Sequence, residues 1–482
     1  MKYLLVSTSL LALSASALHL PFVRHTATRS YGTLSRRSTN VFAQSGSLGL
    51  RNLQNNIYSS LITVDGKDVP VQLDTGSTDF WLYNYVDGLL DNARVYINLN
   101  ATLRYGLGGV KGNVAQTDFV FAGFKVTNQS FLFVTSQNQS SLIEGKVTAG
   151  LLGLGFDTIS AINDIVEQHF PGETWGRSLL SNIFLSDLST PNHIAFRLDR
   201  LYDDNSTDTG SFDIGTFAPG LEAVNNTAEI PIFSTKPDHN IYWSALVDGV
   251  AVNGKNQTLQ TTITNGNIPP TGKVSAVLDT GYSYPQVSRE VAAAIYEPMG
   301  GVFSRRDGSY IVPCEAQANL TFYIAGHAIH IHPLDLTDVQ VATINGQNMT
   351  ACLGTFQPFS SEAGGGIIDF ILGDAFLRNT YTVYDFGDFT NGTSGLTRQD
   401  PYIKLLPLTD PDAASTEFKS ARKAYLSKLP PQLNVTTLNS TDPQTIPGSG
   451  PSSGGPNGAP RVVVSVGIAS LVATIVCVLS LF

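Results

Sequence analysis

The tripeptide Asp-Thr-Gly closes an apolar run at two places, Asp74-Thr75-Gly76 and Asp279-Thr280-Gly281. The run is Val71-Gln72-Leu73 in the first case and Ala276-Val277-Leu278 in the second. A carboxylate placed at the end of a buried strand is costly unless it is paired or hydrogen-bonded. Two such carboxylates, each on its own glycine turn, therefore imply one site assembled from two halves of the chain. A second pair of elements follows the same order. Ala149-Gly150-Leu151-Leu152-Gly153-Leu154-Gly155 comes after the first tripeptide, and Phe370-Ile371-Leu372-Gly373-Asp374-Ala375-Phe376 after the second.

From Tyr58 onward the pattern is all-β. Ile62-Thr63-Val64 and Val69-Pro70-Val71-Gln72-Leu73 flank Asp65-Gly66-Lys67-Asp68, a hairpin signal. Phe119-Val120-Phe121, Ala122-Gly123 and Phe124-Lys125-Val126 repeat it, and Phe131-Leu132-Phe133-Val134 follows. Short strands at this spacing favour sandwiches or barrels over β-α-β units. Two brief helices are expected, over residues 160–170 and 288–297, each opened by a serine and closed near a proline. The 482-residue length accommodates two lobes, with a junction between Gly215 and Phe233.

Residues 58–407 resemble the pepsin-like aspartic proteases, on the strength of the paired Asp-Thr-Gly turns and their apolar flanks. The resemblance implies a bilobal pepsin-like double β-barrel with a few short helices and an active-site cleft between the lobes. It implies that Asp74 and Asp279 are catalytic and that no cofactor or metal is needed. Thr75 and Thr280 would bond across to the opposite loop, Gly76 and Gly281 would let backbone approach the carboxylates, and Ser77 would support Asp74. The apolar-apolar-Gly elements would thread beneath each Asp loop, with glycine where backbones cross closely. Tyr105-Gly106-Leu107-Gly108-Gly109 is similar to the family's flap, with Tyr105 and Gly106 closing over substrate and the Tyr105 phenol bonding to Trp81. Cys314 and Cys352 match the disulfide that relatives carry in the C-terminal lobe, whereas the N-terminal half has no Cys. The chain departs from the family at Tyr282, where relatives carry Ser or Thr.

Two carboxylates about 3 Å apart cannot both ionise cheaply and so share one proton. One can then act as base on a water and the other as acid on a carbonyl oxygen, with no covalent intermediate.

The formal net charge of −10 argues against nucleic acid as a partner. No acidic residue precedes Asp65, but Lys2, Arg24, Arg29, Arg36 and Arg37 do. Residues 1–17 have the charged start, apolar centre and Ala15-Ser16-Ala17 end of a signal peptide. Residues 18–37, closed by Arg36-Arg37, are expected to be a propeptide whose cations lie over an acidic cleft until removed. The lobes are assigned to 38–220 and 221–408, a Ser/Thr/Pro/Gly-rich stalk to 409–461 that opens with a basic amphipathic helix over 412–429, and an apolar tail to 462–482. The small residues Ser452-Ser453-Gly454-Gly455, a polar spacer and this uncharged tail fit a GPI-attachment signal. Loss of the leader and of Arg461 would lower the basic count from 29 to 23 against 39 acids, for a mature charge of −16.

Eleven Asn-x-Ser/Thr sequons are N-glycosylation candidates: Asn100, Asn128, Asn138, Asn205, Asn225, Asn256, Asn319, Asn348, Asn391, Asn434 and Asn439. The combination of leader, stalk and anchor resembles the fungal yapsin-type subgroup. The expectation is a secreted, glycosylated, monomeric endopeptidase that acts on polypeptides, at acidic pH, and is held at the plasma membrane or cell wall by a lipid anchor. The alternative is a catalytically weak or inactive pepsin-fold surface glycoprotein that binds peptides or glycans, for which Tyr282 is the best support. His327, His330 and His332 surround a hairpin glycine, and their spacing does not make a metal site.

Overall fold

The computed structural model describes residues 18–21, 23–28 and 51–438, apart from 106–108, 139–147, 187, 189–190, 201–209, 237–239, 305–307, 345–346, 360–365 and 393–394, with side chains from Tyr58 onward. Strands dominate it. Strands Arg51–Val64 and Lys67–Asp74 form an antiparallel pair, with Val64 opposite Lys67. Asp65 and Gly66 between them both have positive φ, at 50° and 77°. That is the two-residue turn whose twist suits a hairpin, and glycine enters it without penalty. Ala122 and Gly123 repeat it at 52° and 79° between Gly109–Phe121 and Phe124–Asn138.

The two halves share one strand arrangement. In the first, Lys67–Asp74 runs parallel to Gly150–Gly153, with Asp74 opposite Gly153, and Phe80–Leu82 lies antiparallel on the far side. In the second, Val274–Leu278 runs parallel to Phe370–Leu372, with Leu278 opposite Leu372, and Gln286 pairs antiparallel with Ile371. In each half, a later strand is thus threaded between the strands entering and leaving the Asp loop. The threading leaves no space for side chains at the crossings. A Cβ on Gly153 would stand 2.3 Å from the Thr78 backbone, and one on Gly373 would stand 2.1 Å from the Tyr282 carbonyl oxygen.

A six-stranded sheet joins the halves. Its order is Leu18–Pro21, Ser211–Ile214 and His193–Arg197 from the first, then Thr380–Asp385, Tyr402–Pro407 and Ile230–Pro231 from the second. The described leader strands are therefore built into sheets: Leu18–Pro21 pairs with Ser211–Ile214, and Val23–Thr28 with Arg51–Val64. Residues 29–37 lie outside the described residues.

One apolar core runs across the junction. Trp243 packs on Phe156 with ring centroids 4.4 Å apart, and its Nε1 donates to the Leu154 carbonyl at 3.0 Å. A buried polar cluster crosses there too. Asp335 accepts from Arg378 Nε at 2.6 Å, Arg200 Nε at 2.8 Å and Asn379 Nδ2 at 3.0 Å. Burial alone would raise the Asp335 carboxyl, but the two guanidinium groups hold it well below the usual carboxylate range.

Helices Ala161–His169 and Arg289–Tyr296 stand where the sequence predicts them, with Ser160 and Ser288 accepting from Asn163 N and Val291 N. A third helix, Leu179–Ser186, buries Leu179, Leu180, Ile183 and Phe184.

Part of the segment assigned to a stalk is instead docked on the second half. Helix Pro411–Leu426 begins at Asp410, which accepts from Ala413 N at 2.8 Å, and it buries Ala414, Phe418 and Arg422. Arg422 donates to the carbonyls of Cys314 at 3.2 Å and Thr337 at 3.4 Å. Burial pushes its guanidinium down to about 10. Beyond the helix, Thr350 donates to the carbonyls of Pro430 and Pro431, and Leu433 N donates back to Thr350. The helix stands where the sequence predicts an amphipathic one, over 412–429, but it is docked rather than part of a stalk because Ala414 and Phe418 give it an apolar face to bury. Residues 439–482, with the expected anchor signal and Asn439, lie outside the described residues. Among the described residues, no helix is long and apolar enough to cross a membrane.

Candidate active site

The fold brings the two Asp-Thr-Gly loops face to face. Asp74 and Asp279 are 4% and 3% exposed, and their carboxyls are hydrogen-bonded to each other. The Gly76 amide donates to Asp74 Oδ1 at 2.9 Å, and the Gly281 amide to Asp279 Oδ1 at 2.7 Å. Each glycine also faces the carboxylate of the opposite loop. A Cβ on Gly76 would meet Asp279 Oδ2 at 2.2 Å, and one on Gly281 would meet Asp74 Oδ1 at 2.3 Å. The side chain is absent where the two loops need to touch.

Two threonines tie the loops together. Thr75 Oγ1 donates to the Leu278 carbonyl at 2.9 Å and accepts from Thr280 N at 3.0 Å. Thr280 Oγ1 donates to the Leu73 carbonyl at 2.9 Å and accepts from Thr75 N at 3.1 Å. Ser77 Oγ donates to Asp74 Oδ2 at 2.5 Å. Burial raises both carboxyls above the ordinary range; the charge of Asp74 adds to this at Asp279, while Ser77 counteracts it at Asp74. A pair of this kind can hold a single proton between two acids, the state needed to activate water and protonate a carbonyl oxygen together.

The sequence reading missed Asp79. Its carboxylate accepts from Ser160 Oγ at 2.7 Å, Ala161 N at 3.0 Å and Ile162 N at 3.1 Å. It therefore pins the start of helix Ala161–His169 to the first Asp loop. The available signal was an acid five residues after Asp74, directly before the apolar Phe80-Trp81-Leu82.

The flap candidate is a hairpin of Arg94–Arg104 and Gly109–Phe121, with Arg104 opposite Gly109. Tyr105 and Trp81 meet in one apolar cluster with Ile162 and Val166. Burial and the charges of Asp74 and Asp79 raise the Tyr105 phenol, while the Trp81 indole beside it acts in the opposite sense. The phenol and indole are thus adjacent, although Trp81 Nε1 makes no hydrogen bond of ordinary geometry among the described residues. Gly106 lies outside the described residues.

Cys314 and Cys352 are joined by a disulfide. The three histidines diverge: His330 contacts Thr321 Oγ1 at 3.0 Å, while His332 caps residues 333–336 by accepting from Leu334 N. Seven of the sequon asparagines have described side chains, and all seven are exposed: Asn100, Asn128, Asn225, Asn256, Asn319, Asn348 and Asn434. The side chains of Asn138, Asn205 and Asn391 lie outside the description.

With two carboxyls of this geometry in hand, comparison with known proteins is decisive. The profile of the eukaryotic aspartyl protease family matches residues 58–396. The chain belongs to that family. This aspartyl protease is 26% identical over 334 residues to vacuolar protease A of Aspergillus fumigatus, covering 66% of this chain and 73% of that one. It is 26% identical over 381 residues to vacuolar protease A of Arthroderma otae, with 75% and 84% covered. Aspartic protease 3 of Caenorhabditis elegans is 26% identical over 368 residues, with 70% and 82% covered. The crystal structure of an aspartic proteinase from Irpex lacteus superposes with a TM-score of 0.53 at 17% identity, covering 74% of this chain and 96% of that one, a likeness of fold. The protease is thus an aspartic-type endopeptidase with a mostly β, pepsin-like fold.

Proposed function

We propose that Asp74 and Asp279 are the catalytic pair of this endopeptidase. The ionised carboxylate takes a proton from a water, the resulting hydroxide adds to the scissile carbonyl carbon, and the other carboxyl protonates the carbonyl oxygen. Collapse of the tetrahedral intermediate, with proton transfer to the amine, releases the two peptides. The observation that supports this most is the hydrogen bond between two buried carboxyls from opposite halves, each faced by the glycine of the other loop. Because one proton must stay between the two acids, activity is favoured at acidic pH.

The finer reading is a yapsin-type surface enzyme that cuts polypeptides beside basic residues. The signal-like leader, the sequons, the residues rich in Ser, Pro and Gly near 440–460 and the uncharged apolar tail support it. The acidic charge suits basic substrates. The names of the Aspergillus and Arthroderma relatives favour a second destination, the vacuole.

Hydrolysis of a casein-like substrate at acid pH tests the chemistry, with and without a hydroxyl-bearing transition-state-mimicking peptide. Asp74→Asn and Asp279→Asn should each lower kcat/KM by about 10³-fold or more. An Asn variant that digests as well as the native protein would refute the assignment. A peptide-library cleavage profile tests the basic preference. Cell fractionation, with and without phospholipase treatment that severs GPI anchors, separates the two destinations.

A further inference from the structure

The two halves of the site obey the same pattern at the aspartates, threonines and glycines, but not at the next position. In the first half that residue is Ser77, which donates to Asp74 Oδ2 at 2.5 Å. In the second it is Tyr282, whose ring is 1% exposed and whose phenol is buried without a hydrogen-bond partner among the described residues. Asp279 receives the Gly281 amide and shares a hydrogen bond with Asp74. No hydroxyl among the described residues donates to Asp279. The backbone explains why the ring turns inward. Tyr282 N donates to the Asp279 carbonyl, and its own carbonyl accepts from Asp374 N at 2.7 Å, so the residue is fixed at both ends over the threaded strand.

The other titratable groups facing the pair offer no compensation. They are Asp374 from the short helix after Gly373, Tyr384 from strand Thr380–Asp385, Tyr105 from the flap and Asp79 from the first loop. The charged ones are acids, and acids favour retention of the proton.

We propose that this inequality divides control of the pH window: Ser77 sets the acid limb by favouring ionised Asp74, and Tyr282, standing where a hydroxyl would be, leaves Asp279 holding the shared proton and carries the alkaline limb upward. Tyr282 is a positioning residue in this scheme, acting through Asp279. The inference rests on the paired-carboxylate mechanism proposed above. It extends that mechanism by naming which acid holds the proton and by predicting activity closer to neutral pH than a symmetric pair would allow.

The test is the pH dependence of kcat/KM for the full chain and three variants. A hydrogen bond to a charged group corresponds to about one pH unit. Ser77→Ala should raise the acid limb by about that amount and leave the alkaline limb in place. Tyr282→Thr should lower the alkaline limb by a similar amount, and Tyr282→Phe should leave both limbs where they are, since the phenol makes no hydrogen bond among the described residues. An unmoved alkaline limb in Y282T, or a Y282F limb displaced as far as that of Y282T, would overturn the proposal. Should Y282T not fold, Ser77→Ala decides: a shift of the alkaline limb, or of neither limb, is contrary to it. Binding of the transition-state-mimicking peptide needs the singly protonated pair, and so reports the same limbs without turnover. An enzyme that binds but never cleaves would contradict the protease reading, whereas limbs that ignore these substitutions would contradict only this one.

Discussion

The Thr75 hydroxyl accepts the Thr280 amide at 3.0 Å, and the Thr280 hydroxyl accepts the Thr75 amide at 3.1 Å. Each loop therefore satisfies a buried backbone donor of the other. Thr75→Val keeps the shape and removes the acceptor. It should cost about 1–3 kcal/mol of stability, the usual penalty for a buried unpaired donor. It should also lower kcat/KM by about 10²-fold, because small displacements between reacting groups are costly. Thr75→Ser should keep most of both. Urea unfolding together with steady-state kinetics checks the pair of outcomes.

Gly76→Ala would place a methyl 2.2 Å from Asp279 Oδ2. The carboxylate is the group that must give way, since both backbones are held by the threonine bonds. The expected result is a folded protein, judged by near-ultraviolet circular dichroism, whose kcat/KM is lower by about 10²-fold or more.

Asp335 predicts an acid sensitivity remote from the catalytic chemistry. Its folded carboxyl ionises below its ordinary value of 3.8. Its stabilising contribution is therefore complete above that pH and is lost as pH falls toward the folded value. Asp335→Asn should remove it throughout and leave Arg200 and Arg378 uncompensated, at about 3–5 kcal/mol. Unfolding free energies of the two proteins measured from neutral to strongly acid pH should converge at the acid end.

His332 acts in the same direction at a higher pH. Its Nδ1 accepts from Leu334 N at 3.1 Å, so the neutral ring carries its proton on Nε2, which lies 3.3 Å from Glu417. Burial, with Arg200 nearby, lowers it below 6.5. The unfolded chain takes up this proton first, so stability falls as pH drops below 6.5 and levels off below the folded value. His332→Asn keeps a cap acceptor and should flatten that part of the stability–pH curve, read by thermal unfolding.

Phe418 is 1% exposed beneath the docked helix. Phe418→Ala should cost about 3–5 kcal/mol, and a chain ended at Asp410 should melt well below one ended at Leu438. Equal melting temperatures would contradict a structural role for residues 411–438.

Much of this was legible because the signals are local. Asp65-Gly66 dictates its turn, Ser160 and Ser288 announce helices, and Asp-Thr-Gly after an apolar run marks each loop. The threaded strands were legible from Gly153 and Gly373. What escaped the sequence depends on distant partners. Nothing near Asp335 indicates that Arg200 and Arg378 will converge on it, and nothing near Leu18 indicates pairing with Ile214. The helix at Leu179–Ser186 had its signal in five apolar residues behind Ser178 but was obscured by the turn-like Thr174-Trp175-Gly176. A basic amphipathic helix over 412–429 is legible, but nothing near Phe418 or Arg422 indicates that it docks on the second half rather than standing in a stalk.

The attachment of residues 430–433 to Thr350 has a mechanical corollary. Tension applied to the C-terminus enters the second half through the strand that contains Cys352. The Asp74 loop belongs to the first half and lies outside that strand. A pull applied at residue 438 would therefore load the Thr350 strand and its disulfide before it reached the Asp74 loop.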